Sequence, residues 1–161
     1  MQNPIAPCLW FDGDAEEAAE FYTTVFPDSK ILHKIVNHDA WPGGKAGDVV
    51  VVAFQLKGQP YQALNGGPNQ PFNDRVSLSV TCKDQAEVDR YWEALTADGG
   101  EAIMCGWLKD RYGMRWQIVP EAFFAMISDE DAEKSQRAMQ AMTQMIKLDV
   151  DTMTKAYEGP Q

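Results

Sequence analysis

Two glutamines stand in matching surroundings. The stretches GQPYQALN at 58–65 and GMRWQIVP at 113–120 each read Gly, two residues, an aromatic and a Gln, which sets Gln62 and Gln117 at one offset. A carboxamide offers two donors and two acceptor lone pairs without charge. It suits a ligand hydrogen bond or a buried polar contact, and it is a poor partner for a transition metal, which favours imidazole, thiolate or carboxylate. The hairpin CGWLKDRYGMRWQIVP around Gln117 adds a thiol, Cys105, and a carboxylate, Asp110, beside Lys109 and Arg111. Acid–base or nucleophilic chemistry from these two needs an electropositive, partly exposed setting. The competing role for Cys105 is that of a small apolar core group.

Other residues offer binding rather than chemistry. Trp10, Trp107 and Trp116 supply flat apolar surface, while Asn65, Arg75, Ser77 and Gln117 supply polar contacts, the mixture a small-molecule pocket requires. Alternation along strands turns some of these aromatics towards helices instead. Arg75 fits either a carboxylate or phosphate of a ligand or a surface ion pair. His33 and His38 fall on a strand and the loop after it and are expected at the surface. The sequence shows no Ser-His-Asp set and no P-loop. Its glycine pairs, Gly43-Gly44, Gly66-Gly67 and Gly99-Gly100, do not stand between a strand and a helix as a nucleotide-binding turn would.

The elements that must position these residues come in two similar rounds. IAPCLWF, bounded by Pro4 and Asp12-Gly13, reads as a strand. Asp14 with Glu17 has capping-box spacing, and Ala18, Phe21, Tyr22 and Val25 recur at helical intervals until Pro27. SKILHKIV, DVVVVAFQL and PYQALN follow as strands. The pattern then returns: RVSLSV is a strand with Ser77 and Ser79 on one face, and Asp84 with Glu87 repeats the cap ahead of Val88, Tyr91, Trp92 and Leu95. EAIMCGWL and MRWQIVP complete a second round that reads as abbreviated, with two strands after its helix where the first has three. Such internal duplication points to two copies of one supersecondary unit. From Glu121 the character changes. Ser128 is the expected cap of a helix carrying Met139, Met142, Met145 and Ile146, and a further helix is expected after Asp149 or Asp151.

Bulk properties bound the function. The 161 residues suit one compact domain or two fused half-domains, and 45% apolar content is enough for a core. A net charge of −10 opposes nucleic-acid binding, which needs clustered Lys and Arg. No run approaches ~18 apolar residues, so no membrane span is expected, and MQNPIAPCLW does not read as a signal peptide. Three cysteines without C-x-x-C spacing fit reduced thiols in a cytoplasmic protein.

Two β-α-β-β-β units of this length resemble the vicinal oxygen chelate superfamily, which includes glyoxalase I, bleomycin-resistance proteins and extradiol dioxygenases. PCLWFDGDAEEAAEFYTTVFPDS, ALNGGP, SLSVTCKDQAEVDRYWEAL and CGWLKDRYGMRWQIVP resemble its 3-demethylubiquinone-9 3-methyltransferase-like (PhnB-like) branch, over nearly the whole chain and including the Met-rich tail. The resemblance implies an α+β fold. Residues 1–70 and 71–120 would form two modules, each a half-open curved sheet beside a pocket, and residues 121–161 a helical extension. In that superfamily a divalent metal is commonly held from the first and last strand of each unit. Here the usual Glu falls on Gln62 and Gln117, and the usual His near Ala6 or Pro7 and near Arg75 or Ser77. The expectation is therefore a protein with no metal ligands and no cofactor. It would bind a small molecule through Trp10, Gln62, Asn65, Arg75, Ser77, Cys105, Trp107 and Gln117, and would form a homodimer with the tail helix as a candidate interface. The enzymatic alternatives are a lyase or isomerase of the superfamily, or the methyltransferase of the family label.

Overall fold

The computed structural model describes residues 5–160. Pro4, the expected boundary of the first strand, lies outside them. The chain divides into two units, Met1–Phe72 and Asn73–Gln161.

The first unit runs β1 (Cys8–Phe11), α1 (Ala15–Val25), β2 (Lys30–Val36), β3 (Val49–Leu56) and β4 (Gln59–Asn65), with the sheet ordered β1-β4-β3-β2. β1 pairs parallel to β4, and the other neighbours are antiparallel. Alternation decides what each face does. Leu9, Phe11, Val52, Phe54 and Ala63 are buried, and α1 meets this side with Ala15, Ala18, Ala19 and Tyr22. Three alanines let the helix approach closely, and Tyr22 and Tyr61 each stack with Phe54, at 6.4 and 5.5 Å. The other face carries Cys8, Trp10 and Gln62, all exposed. The N-terminus of α1 is not capped as its sequence suggests. Asp14 makes no side-chain cap bond; Asn65 at the end of β4 accepts from Ala15 N at 2.9 Å and donates to Val49 O at 2.9 Å.

The second unit repeats the plan with β5 (Leu78–Cys82), α2 (Gln85–Thr96), β6 (Glu101–Ala102), β7 (Trp107–Lys109) and β8 (Arg115–Pro120), ordered β5-β8-β7-β6. Its round is complete, not abbreviated: the stretch read as one strand, EAIMCGWL, breaks at a turn that puts Cys105 at φ 62 and Gly106 at φ 78, giving two strands from one. β5 also starts later than expected, leaving Arg75 and Val76 in the preceding turn. Here the side-chain cap forms: Asp84 Oδ1 accepts from Glu87 N at 2.8 Å, and Glu87 Oε2 accepts at 3.0 Å from Lys83 N, one residue before the cap. Val88, Tyr91, Trp92 and Leu95 of α2 are buried with Leu108, Trp116 and Ile118 of the sheet, each large side chain contributing about 1.5–3 kcal/mol by leaving water.

The tail holds three helices. α3 (Glu121–Ile127) follows β8 without a loop, ahead of the point where a helix was expected. Asp131, not Ser128, caps α4 (Ala132–Thr143), accepting from Glu133 N at 3.0 Å and Lys134 N at 3.1 Å. Asp149 caps α5 (Val150–Glu158) through Thr152 N at 2.7 Å, as the sequence suggests. Val119, Phe123, Met126, Ala138, Leu148 and Met153 form one buried cluster, with Met142 and Met145 packed against it. The link from α4 to α5 is tied to the rest of the unit. Met145 O accepts from Cys105 N at 2.7 Å and Ile146 O from Gly106 N at 2.8 Å, while Gln85 Oε1 accepts from Val150 N at 2.9 Å. A side chain on Gly106 would meet Leu148 Cγ at 2.9 Å and Ile118 O at 3.0 Å, so the close approach requires glycine as much as the positive φ does. No helix among the described residues is long and apolar enough to cross a membrane.

Candidate functional site

The parallel pairing of β5 with β8 sets Ser79 beside Gln117, and the antiparallel pairing of β7 sets Trp107 on the other side. These residues share the face turned away from α2. Trp116 and Leu108, one residue along, face the helix and are buried. Gln117 Nε2 donates to Ser77 Oγ at 2.8 Å. That bond answers part of what a mid-strand amide is for, because it restrains the side chain through Nε2 and does not use Oε1.

A pocket of about 200 Å³ lies there. The sheet provides Ser79, Cys105, Trp107, Gln117 and Val119, and the tail provides Phe123, Phe124, Met142 and Leu148. None of these side chains is charged. The cations farther along the same strands are already neutralised: Arg115 pairs with Asp74 and donates to Gly113 O at 2.7 Å, and Lys109 Nζ lies 2.5 Å from Glu101 Oε1.

The expected site residues are thus distributed unevenly. Cys105, Trp107 and Gln117 line the pocket, with Ser77 bonded behind Gln117. Arg75 is exposed in its turn, outside the pocket lining. In the first unit, Trp10 and Gln62 share the open face; the Trp10 ring lies over Gly66 and its Nε1 donates to Gly67 O at 2.8 Å. Asn65 faces the opposite way, buried, with its amide committed to the backbone of α1 and β3. Trp116 and Asp110 belong to a structural knot. Asp110 is buried and accepts from Tyr112 N at 2.9 Å, Met114 N at 3.0 Å and Trp116 Nε1 at 2.8 Å, holding the Asp-Arg-Tyr-Gly turn. Sequence reasoning missed Ser79, Val119 and the four tail residues. The serine's alternation with Ser77 was visible, whereas nothing local marks Phe123, Phe124, Met142 and Leu148 as wall residues.

In register, Cys8 lies beside Gln62 and Ser79 beside Gln117. A thiol with an amide, or a hydroxyl with an amide, does not make a divalent site of the usual kind. Among the described residues no three His, Cys, Asp or Glu side chains group together, and His33 and His38 are exposed. The residues present do not fit the metal.

Paired four-stranded sheets, each with the β-α-β-β-β order, place the fold with the glyoxalase and bleomycin-resistance class. The 3-demethylubiquinone-9 3-methyltransferase family model matches residues 3–119. A PhnB protein from Bacillus cereus carrying that same label is 34% identical, with a TM-score of 0.66 over 73% of this chain and 99% of that one. A protein from Pseudomonas aeruginosa is 19% identical, with a TM-score of 0.62 over 74% and 98% of the two chains. The fosfomycin resistance protein FosX from Mesorhizobium loti shares the fold at 13% identity and a TM-score of 0.50, over 72% and 89%. No protein of curated function matches the chain. The chain belongs to the 3-demethylubiquinone-9 3-methyltransferase family, the PhnB-like branch of the vicinal oxygen chelate superfamily. The family model ends at residue 119, short of the tail.

Proposed function

We propose that this protein is a metal-free small-molecule-binding protein whose ligand sits on the open face of the second sheet. The observation that carries this reading is the pocket itself, with a pre-set carboxamide at one wall and aromatic and aliphatic side chains elsewhere. Ligand sites are usually built so, with a few placed polar groups in an apolar concavity. The uncharged donor set beside Gln117 supports binding without a metal ion.

Metal analysis of the purified protein, joined to a thermal-shift comparison of divalent cations with uncharged ring compounds, tests the reading. The expected outcome is substoichiometric metal, no cation-dependent shift, and stabilisation by an organic compound that Gln117→Leu abolishes. One tightly held equivalent of metal would overturn it.

The family label favours a second reading, methyl transfer. Against it, the glycine pairs serve close packing. A side chain at Gly43 would collide with Asn65 O, one at Gly66 with the Trp10 ring, and one at Gly100 with Leu95 O. Saturable binding of S-adenosylmethionine in the same screen would favour that reading over binding alone.

A homodimer is also proposed. The tail offers Met139 and Ile146 as exposed apolar groups, and the edge strand β2 offers Leu32, Ile35 and Val36.

A further inference from the structure

The pocket's two halves differ in origin. Ser79, Cys105, Trp107, Gln117 and Val119 lie within the span of the family model, which ends at residue 119. Phe123, Phe124, Met142 and Leu148 come from α3, α4 and the link to α5, all beyond it. The Bacillus cereus relative is used to 99% of its length against only 73% of this chain. The apolar half of the wall therefore lies outside the residues that the family model matches. It is anchored by the 2.7 and 2.8 Å bonds that Met145 O and Ile146 O accept from the Cys105–Gly106 turn, so this wall and the thiol-bearing turn are held in fixed relation.

We infer that the C-terminal helices are the specificity-determining element of this site, restricting it to an uncharged, single-ring compound with one hydroxyl or comparable polar arm. This rests on the proposed binding role of the same pocket. Volume sets the size limit. A buried cavity of ~150 Å³ accommodates benzene, and drug-sized ligands occupy ~300–1,000 Å³. The ≈ 200 Å³ here takes one ring and a short arm, and a fused second ring would have to press on the tail wall or project from the pocket's open side. Polarity follows from the lining. Gln117 has its Nε2 on Ser77, which leaves Oε1 as an acceptor, and Ser79 stands next to it in register. A hydroxyl donates to one and accepts from the other. A carboxylate would meet no charged partner among the lining side chains, with the neighbouring Arg115 and Lys109 already paired to Asp74 and Glu101.

The test uses the full-length chain with Cys8→Ser, so that Cys105 reports occupancy by its rate of alkylation with iodoacetamide; Cys82 is buried. The probes are benzyl alcohol, 1-naphthalenemethanol and benzoate. Benzyl alcohol is expected to protect Cys105 at concentrations at least about tenfold below those needed with the other two, as a wall that rejects extra bulk requires. Phe124→Ala and Met142→Ala are expected to admit 1-naphthalenemethanol and bring the two alcohols within about threefold of each other. Phe124 is 41% exposed, so its variant tests the wall without removing a core residue. Met142→Trp is expected to abolish protection by benzyl alcohol. Equal protection by both alcohols in the unaltered wall, or a ratio unchanged in the two alanine variants, would overturn the tail's role. Gln117→Leu separates the two claims. If it removes protection while the ratio ignores the tail, the binding role stands and this inference falls. If no probe protects Cys105 at ~10 mM, where even millimolar affinity would register, both fall.

Discussion

At the scale of single residues, the two halves show how one letter can serve different purposes. Gln62 and Gln117 occupy matching registers, yet Gln117 is bonded to Ser77 and lines a pocket while Gln62 is exposed on its sheet. Asp14 and Asp84 likewise share a cap motif, but only Asp84 caps with its side chain; the first helix borrows Asn65 from a strand fifty residues away in sequence. This yields a contrast that the motif alone would invert. Asn65→Ala leaves Ala15 N and Val49 O without their partner and should cost about 1–3 kcal/mol in urea denaturation. Asp14→Ala should change stability by less than ~0.5 kcal/mol, as surface substitutions away from such features do. Equal losses would show that the strand-borne cap is not what holds α1.

At the scale of elements, docking of the tail depends on ionised carboxylates. Asp89 on α2 accepts from Lys147 Nζ at 2.6 Å and from Gln85 Nε2 at 3.0 Å, and Gln85 in turn holds Leu148 O and Val150 N. The Lys147 bond first, then the Gln85 bond, hold the Asp89 carboxyl below its ordinary range. Hydrogen bonds from Thr152 do the same for Asp149 at the start of α5. A carboxylate lowered in the folded state binds its proton more readily when unfolded. Its stabilisation is therefore complete above the unfolded value of ~3.9 and is lost as pH falls through the lower folded value. The melting temperature should fall as pH drops below ~4, and Asp89→Asn should flatten part of that slope while lowering stability near neutrality. Melting curves across this range decide it, and an unchanged slope in Asp89→Asn would remove the ion pair from the account.

At the scale of the whole molecule, light scattering at micromolar concentration should return twice the chain mass. A monomer would remove the dimer. Placing charge on its candidate apolar surfaces, Met139→Lys with Ile146→Lys or Leu32→Lys with Ile35→Lys, would locate it by which pair dissociates the species. Much of the architecture was legible beforehand: the duplication, the order of most strands and both principal helices followed from spacing and alternation, and the family from the resemblance of its motifs. What was not legible has physical causes. EAIMCGWL has no Pro or Asn to mark its break, because the turn uses Cys105 in a left-handed conformation beside Gly106. Its two-residue strand β6 is too short to carry a period. α3 grows straight out of β8, so no loop composition announces it.

The sequence by itself determined the class of fold and the chemical groups offered to the candidate site, because periodicity fixes which faces pack and an amide or a serine keeps its bonding capacity wherever it lies. Only the tertiary structure decided which residues line the candidate pocket. Ser79, Phe123, Phe124, Met142 and Leu148 join Gln117 through strand register and through helices that fold back some distance along the chain, and such contacts leave no local mark in the residues that make them.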